Sequence, residues 1–196
     1  MTQGRSAARW DREFGAGKYA YLHKPAETAR LAEIAAMVAR SIAENGPCEV
    51  VDIGCGEGLL LERLAGLAIS RYVGVDISAV ALSRLPASAI PVTRVRRALA
   101  RWDGGPAPEG RRVIVASEVL YYDTQGVAQL QRVVAAGGVA EIIVSCVGGR
   151  ADKPNWTAAS QRLWAQLAAT GWRLVERRYL ADRASGTGWD LARYAV

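Results

Sequence analysis

The chain has 196 residues, 51% of them apolar, which suits one domain whose core needs neither disulfides nor metals. Cys48, Cys55 and Cys146 are an odd, widely spaced set with no CxxC pair, and there is a single histidine, so neither a disulfide framework nor a zinc site is suggested and no metal is expected. The formal charge of +6 rests on scattered arginines with short doublets such as Arg96-Arg97, Arg111-Arg112 and Arg177-Arg178, without the aromatic-interleaved basic stretch of a nucleic-acid module. A solvated basic surface is expected, with no nucleic-acid partner. No apolar run approaches the roughly 20 residues of a membrane span, and Met1 to Arg12 lacks the apolar centre of a secretory signal, so the expected location is the cytoplasm with no membrane partner.

After an irregular opening, Pro25 to Ala43 reads as an amphipathic helix with Leu31, Ile34, Ala35, Val38 and Ile42 at helical spacing, stopped by Asn45-Gly46-Pro47. Glu49 to Ile53 is a short apolar strand that runs into Gly54-Cys55-Gly56-Glu57-Gly58 and then a helical pattern, Leu59 to Leu67. The alternation repeats with a strand at Arg71 to Val75, a helix at Ala79 to Leu85, strands at Val92 to Arg97 and Val113 to Ser117, and a helix at Gly126 to Ala136. A fifth strand, Ala140 to Cys146, is followed by a loop, Val147 to Asn155, and a helix, Thr157 to Thr170. Trp172 to Leu180 and Trp189 to Val196, joined by the polar Ala181 to Gly188, read as an antiparallel hairpin at one sheet edge. The order predicts an α/β fold: a mostly parallel seven-stranded sheet with a C-terminal antiparallel hairpin and helices on both faces. No internal repeat or linker interrupts it.

Three glycines at alternating positions after the first strand, Gly54, Gly56 and Gly58, let the backbone turn sharply and approach a ligand where a side chain would clash. The dinucleotide fingerprint places its last glycine three positions after the second, where Leu59 stands here, so a nicotinamide cofactor fits poorly. The second strand leads to Asp76, at the distance downstream expected of a ribose-binding acid.

Asp52-Ile53-Gly54-Cys55-Gly56-Glu57-Gly58 with Asp76-Ile77-Ser78 resembles motif I and the following acidic position of class I S-adenosylmethionine (SAM)-dependent methyltransferases, a Rossmann-like family. The resemblance runs from about Pro25 to Val196. It implies SAM as cofactor and S-adenosylhomocysteine (SAH) as product, with residues 1–46 as an N-terminal helical lid segment and 47–196 as the SAM-binding part of one structural domain. By the same resemblance Asp52 orients the loop and the methionine amino group, Gly54 and Gly56 face the methionine and ribose portions, Asp76 holds the ribose and Ile77 packs on the adenine. Where the family often carries Gly-Asp and an apolar residue beside the adenine, this chain has Ala98-Leu99. Leu99 keeps a backbone amide and an apolar wall, and Asp103 is either a substitute acceptor or a turn residue before Gly104-Gly105. Cys55 reads as a small residue in a tight turn, not a nucleophile.

The fourth strand ends in Ser117-Glu118-Val119-Leu120-Tyr121-Tyr122, which resembles the Ser/Ala-Glu-Val-Leu-Tyr-Tyr stretch of a small-molecule N-methyltransferase group that includes NodS. Ligands of open α/β sheets bind beyond the carboxyl ends of the strands, so Ser117, Glu118 and the two tyrosines should face or border the cofactor crevice, with Ser117 on the cofactor side. Arg112 stands where the family commonly has an Asp, which removes a polar contact there. Glu118 is a candidate proton acceptor or ammonium partner, and Tyr121 and Tyr122 are candidates for positioning the acceptor, packing being an equal reading for each tyrosine. The absence of an Asn/Asp-Pro-Pro-aromatic element argues against methylation of exocyclic base amines. His23, between Tyr19-Ala20-Tyr21-Leu22 and Pro25, is a candidate general base on a lid or else a packing or surface residue. Trp10 and Phe14, four apart, read as one apolar helix face.

The sequence therefore points to methyl transfer to a small-molecule acceptor, an amine nitrogen such as that of an amino sugar or natural-product intermediate being favoured. O-methylation of a hydroxyl, or a catalytically inactive SAM-binding partner subunit, are the alternatives. A monomer or homodimer is expected.

Overall fold

The computed structural model describes residues 6–149, 154–182 and 186–196. Its seven strands are β1 (Cys48–Ile53), β2 (Ile69–Asp76), β3 (Val92–Arg96), β4 (Arg111–Ser117), β5 (Val139–Gly149), β6 (Arg173–Asp182) and β7 (Thr187–Ala195), which form one sheet in the order β3-β2-β1-β4-β5-β7-β6. The first five are mutually parallel, and β7 runs antiparallel to β5 and to β6. This is the predicted mostly parallel sheet with the C-terminal hairpin on its edge. Strand order reverses between β1 and β4, whose carboxyl ends lie side by side with Asp52 opposite Val115 and Ile53 opposite Ala116. A topological switch point opens a crevice there.

Side chains of the central strands alternate between two cores. Val50, Tyr72, Val113, Val115 and Ile143 pack against α2 (Pro25–Asn45) and α3 (Leu59–Arg63). Val51, Ile53, Ile114, Ala116, Ile142 and Val144 pack against α5 (Gly126–Ala135) and α6 (Pro154–Ala168) on the other face. Burying one such aliphatic side chain contributes about 1.5–3 kcal/mol, and Ile34, Met37 and Val38 of α2 are fully inaccessible. Within residues 1–46, α2 is therefore a core helix, begun by Pro25 at its first turn and ended at Gly46 with φ +85°.

Several elements differ from the sequence expectation. The opening contains a helix, α1 (Ala7–Gly15), N-capped by Ser6, and a 3-10 turn at Ala20–His23. The helix after β1 stops at Arg63, where Leu64 stays buried and the chain turns through Gly66 at φ +81°. That after β2, α4 (Ala79–Ser83), ends just ahead of Leu85-Pro86, since a residue preceding proline disfavours the helical region. Strand β5 reaches Gly149, beyond the predicted Cys146, because β7 continues to pair with it at Val147↔Trp189 and Gly149↔Gly188. Parts of the two predicted loops, residues 150–153 and 183–185, lie outside the described residues. Among the described residues no helix is long and apolar enough to cross a membrane.

Candidate active site

A cavity of about 1160 Å³ opens over the carboxyl ends of the parallel strands. This exceeds the roughly 300–1,000 Å³ usual for a single-ligand site. One end is bordered by Asp52, Gly54, Gly56, Asp76, Ile77 and Leu99; the other by Glu118, Tyr121, Tyr122, Trp156 and Trp189.

At the first end the chain turns with Gly54 at φ +69° and Gly56 at φ +54°, and the amides of Gly54 and Cys55 donate to the Val75 carbonyl at 2.7 and 3.2 Å. A Cβ on Gly54 would meet Val119 Cγ2 at 2.6 Å, so the protein's own packing demands glycine there. Gly58, at φ +80°, backs onto Pro86 and Leu85 and borders α4's end instead of the cavity. Cys55 reaches the wall, but its thiol is buried and pushed well above the ordinary range, so it is a neutral packing group.

Two carboxylates face the loop. Asp52 is buried, accepts from the Tyr72 hydroxyl at 2.7 Å, and burial pushes its carboxyl up to about 7. Asp76 accepts from the Ser78 amide at 2.8 Å on Oδ1 and from the Gly56 amide at 3.0 Å on Oδ2; burial raises its carboxyl against these hydrogen bonds. A carboxylate oxygen accepts more than one hydrogen bond, so Asp76 ties the loop in place and keeps acceptor capacity toward the cavity. Ile77, Ala98 and Leu99 line the wall, Leu99 opening a 3-10 turn, Leu99–Arg101. Asp103 is placed elsewhere: its carboxylate accepts from the Gly105 amide at 3.0 Å in an exposed turn.

At the second end Glu118 follows β4 with φ +56°, the one positive-φ non-glycine residue among those described. Such strain persists only where surroundings over-determine the backbone; here the Glu118 amide donates to the Ser145 carbonyl at 2.9 Å. Its side chain accepts from the Tyr121 hydroxyl at 2.8 Å and the Ser145 hydroxyl at 3.3 Å. Burial raises the Glu118 carboxyl, and the charge of Arg30 opposes this. Tyr121, its own hydroxyl held far above the usual range by burial, is a hydrogen-bond donor to Glu118 and not a base.

Arg30 and Glu27 were not singled out by the sequence motifs. Arg30 is buried, donates to Glu27 from Nε at 3.0 Å and Nη2 at 2.8 Å, and contacts the Ser117 and Ser145 hydroxyls through Nη1. Their signal was present: a Glu-x-x-Arg pair, one helical turn apart, on a stripe otherwise made of Leu31, Ile34 and Val38. Only the fold shows that this stripe borders the crevice.

Residues 6–24 lie over the loop. Asp11 of α1 accepts from the Ser78 hydroxyl at 2.7 Å, the Val80 amide at 3.3 Å and Arg96 at 3.3 Å. Glu13 binds Lys18 at 2.8 Å and the Tyr19 hydroxyl, which holds its carboxyl down at about 2. Phe14 is buried and Trp10 half-buried, and both also form cavity wall, with Phe14 beside Gly56 and Trp10 edge-on to Tyr122 at 5.4 Å. Tyr122 continues that aromatic wall to Trp156 at 5.7 Å and Tyr121 at 4.7 Å. His23 is placed outside the cavity, 58% exposed, with Nε2 3.6 Å from Glu57. Among the described residues no group of His, Cys, Asp or Glu is arranged to hold a metal.

The Methyltransferase domain family model matches residues 50–138. Curated proteins yield no sequence match. Several solved structures share the fold. N-methyltransferase NodS from Bradyrhizobium japonicum WM9 superposes with TM-score 0.67 at 19% identity, over 89% of this chain and 98% of its own. The 1,6-didemethyltoxoflavin-N1-methyltransferase of Burkholderia thailandensis, solved with that compound and SAH bound, gives TM-score 0.70 at 13% identity over 96% and 86%. Magnesium protoporphyrin IX methyltransferase (ChlM) from Synechocystis PCC 6803, with SAM bound, gives 0.63 at 17% identity over 87% and 79%.

Proposed function

We propose that this chain, which carries a class I SAM-dependent methyltransferase domain, methylates the nitrogen of a small-molecule amine such as an amino sugar or a natural-product intermediate. The observation that carries the reading is Glu118, a half-buried carboxylate at the carboxyl end of β4 that opens on a cavity walled by Trp10, Tyr121, Tyr122 and Trp156. Two of the fold's solved neighbours, NodS and the toxoflavin enzyme, are N-methyltransferases by name, which favours nitrogen over oxygen.

Asp52, Gly54, Cys55, Gly56, Asp76, Ile77, Ala98 and Leu99 hold the cofactor in this reading, with Gly58 shaping the loop from behind. When bound, SAM supplies an electrophilic methyl carbon on a positively charged sulfur. The buried carboxyl of Asp52 receives the methionine ammonium, and Asp76 accepts from the ribose hydroxyls. Aromatic faces near Glu118 suit an ammonium acceptor. Glu118 takes a proton from that ammonium and exposes the nitrogen lone pair, while Tyr121 holds the carboxylate in place. His23 has no step at its present position beside Glu57. Residues 6–24 act as the lid that excludes water.

Purified protein incubated with methyl-labelled SAM and paired acceptors, one bearing a free amine and the other a hydroxyl at the same place, tests the reading. Label on the amine alone is expected. Label confined to the hydroxyl overturns N-methylation, and SAH binding without transfer to any acceptor supports a non-catalytic subunit instead.

A further inference from the structure

The structure assigns Glu27 and Arg30 of α2 a role as positioning residues: through Ser117 and Ser145 they orient Glu118 and determine the charge its carboxyl carries. The inference concerns Glu118 itself and rests on the proposed reaction only for what that charge is used for.

Arg30 has donors only, and its Nη1 points at both the Ser117 and Ser145 hydroxyl oxygens, the latter at 3.3 Å. A hydroxyl that accepts from a guanidinium must direct its own hydrogen elsewhere. For Ser145 the neighbouring oxygens are Glu118 Oε1 at 3.3 Å and Ser117 Oγ at 2.9 Å. With the Ser117 hydroxyl donating to Ser145, the Ser145 hydrogen is directed at Glu118 and favours a carboxylate that accepts. Tyr121 donates to the other oxygen, Oε2, at 2.8 Å, so both oxygens are held from opposite sides.

The charges act in the same place with opposite signs. Arg30 attracts the ionised form of Glu118 and Glu27 repels it, and the two are bonded to one another at 2.8 Å. Arg30 has the larger influence of the two, so the pair together eases the ionisation of Glu118 that burial opposes. The other titratable neighbours are Tyr121 and Tyr122 after β4 and the Cys146 thiol on β5. Arg30 also acts on Asp52 at the end of β1, so one guanidinium influences both ends of the cavity. An ion pair remote from Glu118 would leave its titration unmoved, whereas this pair acts on it with both signs.

That sign difference is the test. Protein labelled with ¹³C at glutamate side-chain carboxyls is titrated by NMR without cofactor, the Glu118 signal being identified by its loss in Glu118→Gln. Arg30→Gln is expected to raise the Glu118 midpoint by about one pH unit and Glu27→Gln to lower it by about one, while Ser145→Ala raises it by less. Should Arg30→Gln fail to fold, Glu27→Gln and Ser145→Ala carry the same test. Shifts in one direction for both α2 variants, or no shift in either, overturn the assignment. The kcat–pH profile with an accepted amine should follow the NMR midpoints. If the NMR shifts appear but no amine is methylated, the proposed reaction fails and the positioning role stands; if amines are methylated and the midpoints do not move, the reverse holds.

Discussion

Two buried arginines, one at each end of the same sheet, show what separates a structural ion pair from a working one. Arg112 and Arg30 are both 4% exposed in their side chains. Arg112, at the amino end of β4, donates to Glu49 at 2.6 Å, to the Gly104 carbonyl at 2.8 Å and to the Pro106 carbonyl at 2.6 Å. Glu49 is closed from the other side by Arg71 at 2.5 Å. Every partner there is a carboxylate or a backbone carbonyl, a set that can adopt one arrangement only. Arg112 is thus satisfied at the amino end of the sheet, outside the cavity lining. Arg30, at the carboxyl end, has one carboxylate and two hydroxyls, and hydroxyls can turn. Desolvating a charge is costly at either end. Only beside the cavity do the partners leave room for a proton to move.

The strongest contrast comes from exchanging function for stability. Glu118→Gln is expected to lower kcat about 10²- to 10⁴-fold, the usual range for a proton-transfer group. Because the folded protein raises the Glu118 carboxyl above its ordinary 4.5, the stability linked to it is full below that value and is lost as pH rises through the folded value. Gln imitates the protonated form, so the variant should be at least as stable as the parent at pH 8, with the gap closing toward pH 4. Urea unfolding at both pH values checks this, and a destabilised variant at pH 8 would count against a raised carboxyl.

The mirror case is Arg112→Ala. Leaving Glu49 buried beside one remaining arginine should cost about 3–5 kcal/mol of unfolding free energy, while SAH affinity of the folded protein stays the same. A tenfold weaker SAH affinity with intact stability would erase the distinction between the two ends.

The smallest effect concerns Asp52. With its carboxyl at about 7, the free protein is mostly protonated there at pH 6 and mostly ionised at pH 8. If Asp52 receives the methionine ammonium, SAH should bind about tenfold more tightly at pH 8 than at pH 6, with proton release below pH 7. Calorimetry in two buffers of different ionisation enthalpy measures both quantities. Asp52→Asn should remove the dependence, and a variant that keeps it would assign the proton to another group.

Much of this was legible because it is local. Glycines at alternating positions, an acid after each of two short apolar strands, and Glu118 after the fourth strand are near-neighbour patterns, and strand ends of a parallel sheet point to one crevice. The helix at Ala7–Gly15 was read only as far as Trp10 and Phe14 sharing one apolar face, because a pair four apart is too short a stripe to fix where a helix starts and ends. His23 and Asp103 were plausible by residue type, but a side chain's partner is set by packing, and the structure pairs them with Glu57 and the Gly105 amide.

The sequence by itself determined the α/β order and the glycine loop after the first strand, since hydrophobic periodicity and glycine placement act over a few residues. Only the tertiary structure decided that Arg30, 87 positions before Ser117 and 115 before Ser145, meets both beside Glu118. Contacts across such separations depend on strand order and on which helical stripe meets the sheet. No local pattern encodes them, because burying a charge is favourable only once its distant partners are already in place.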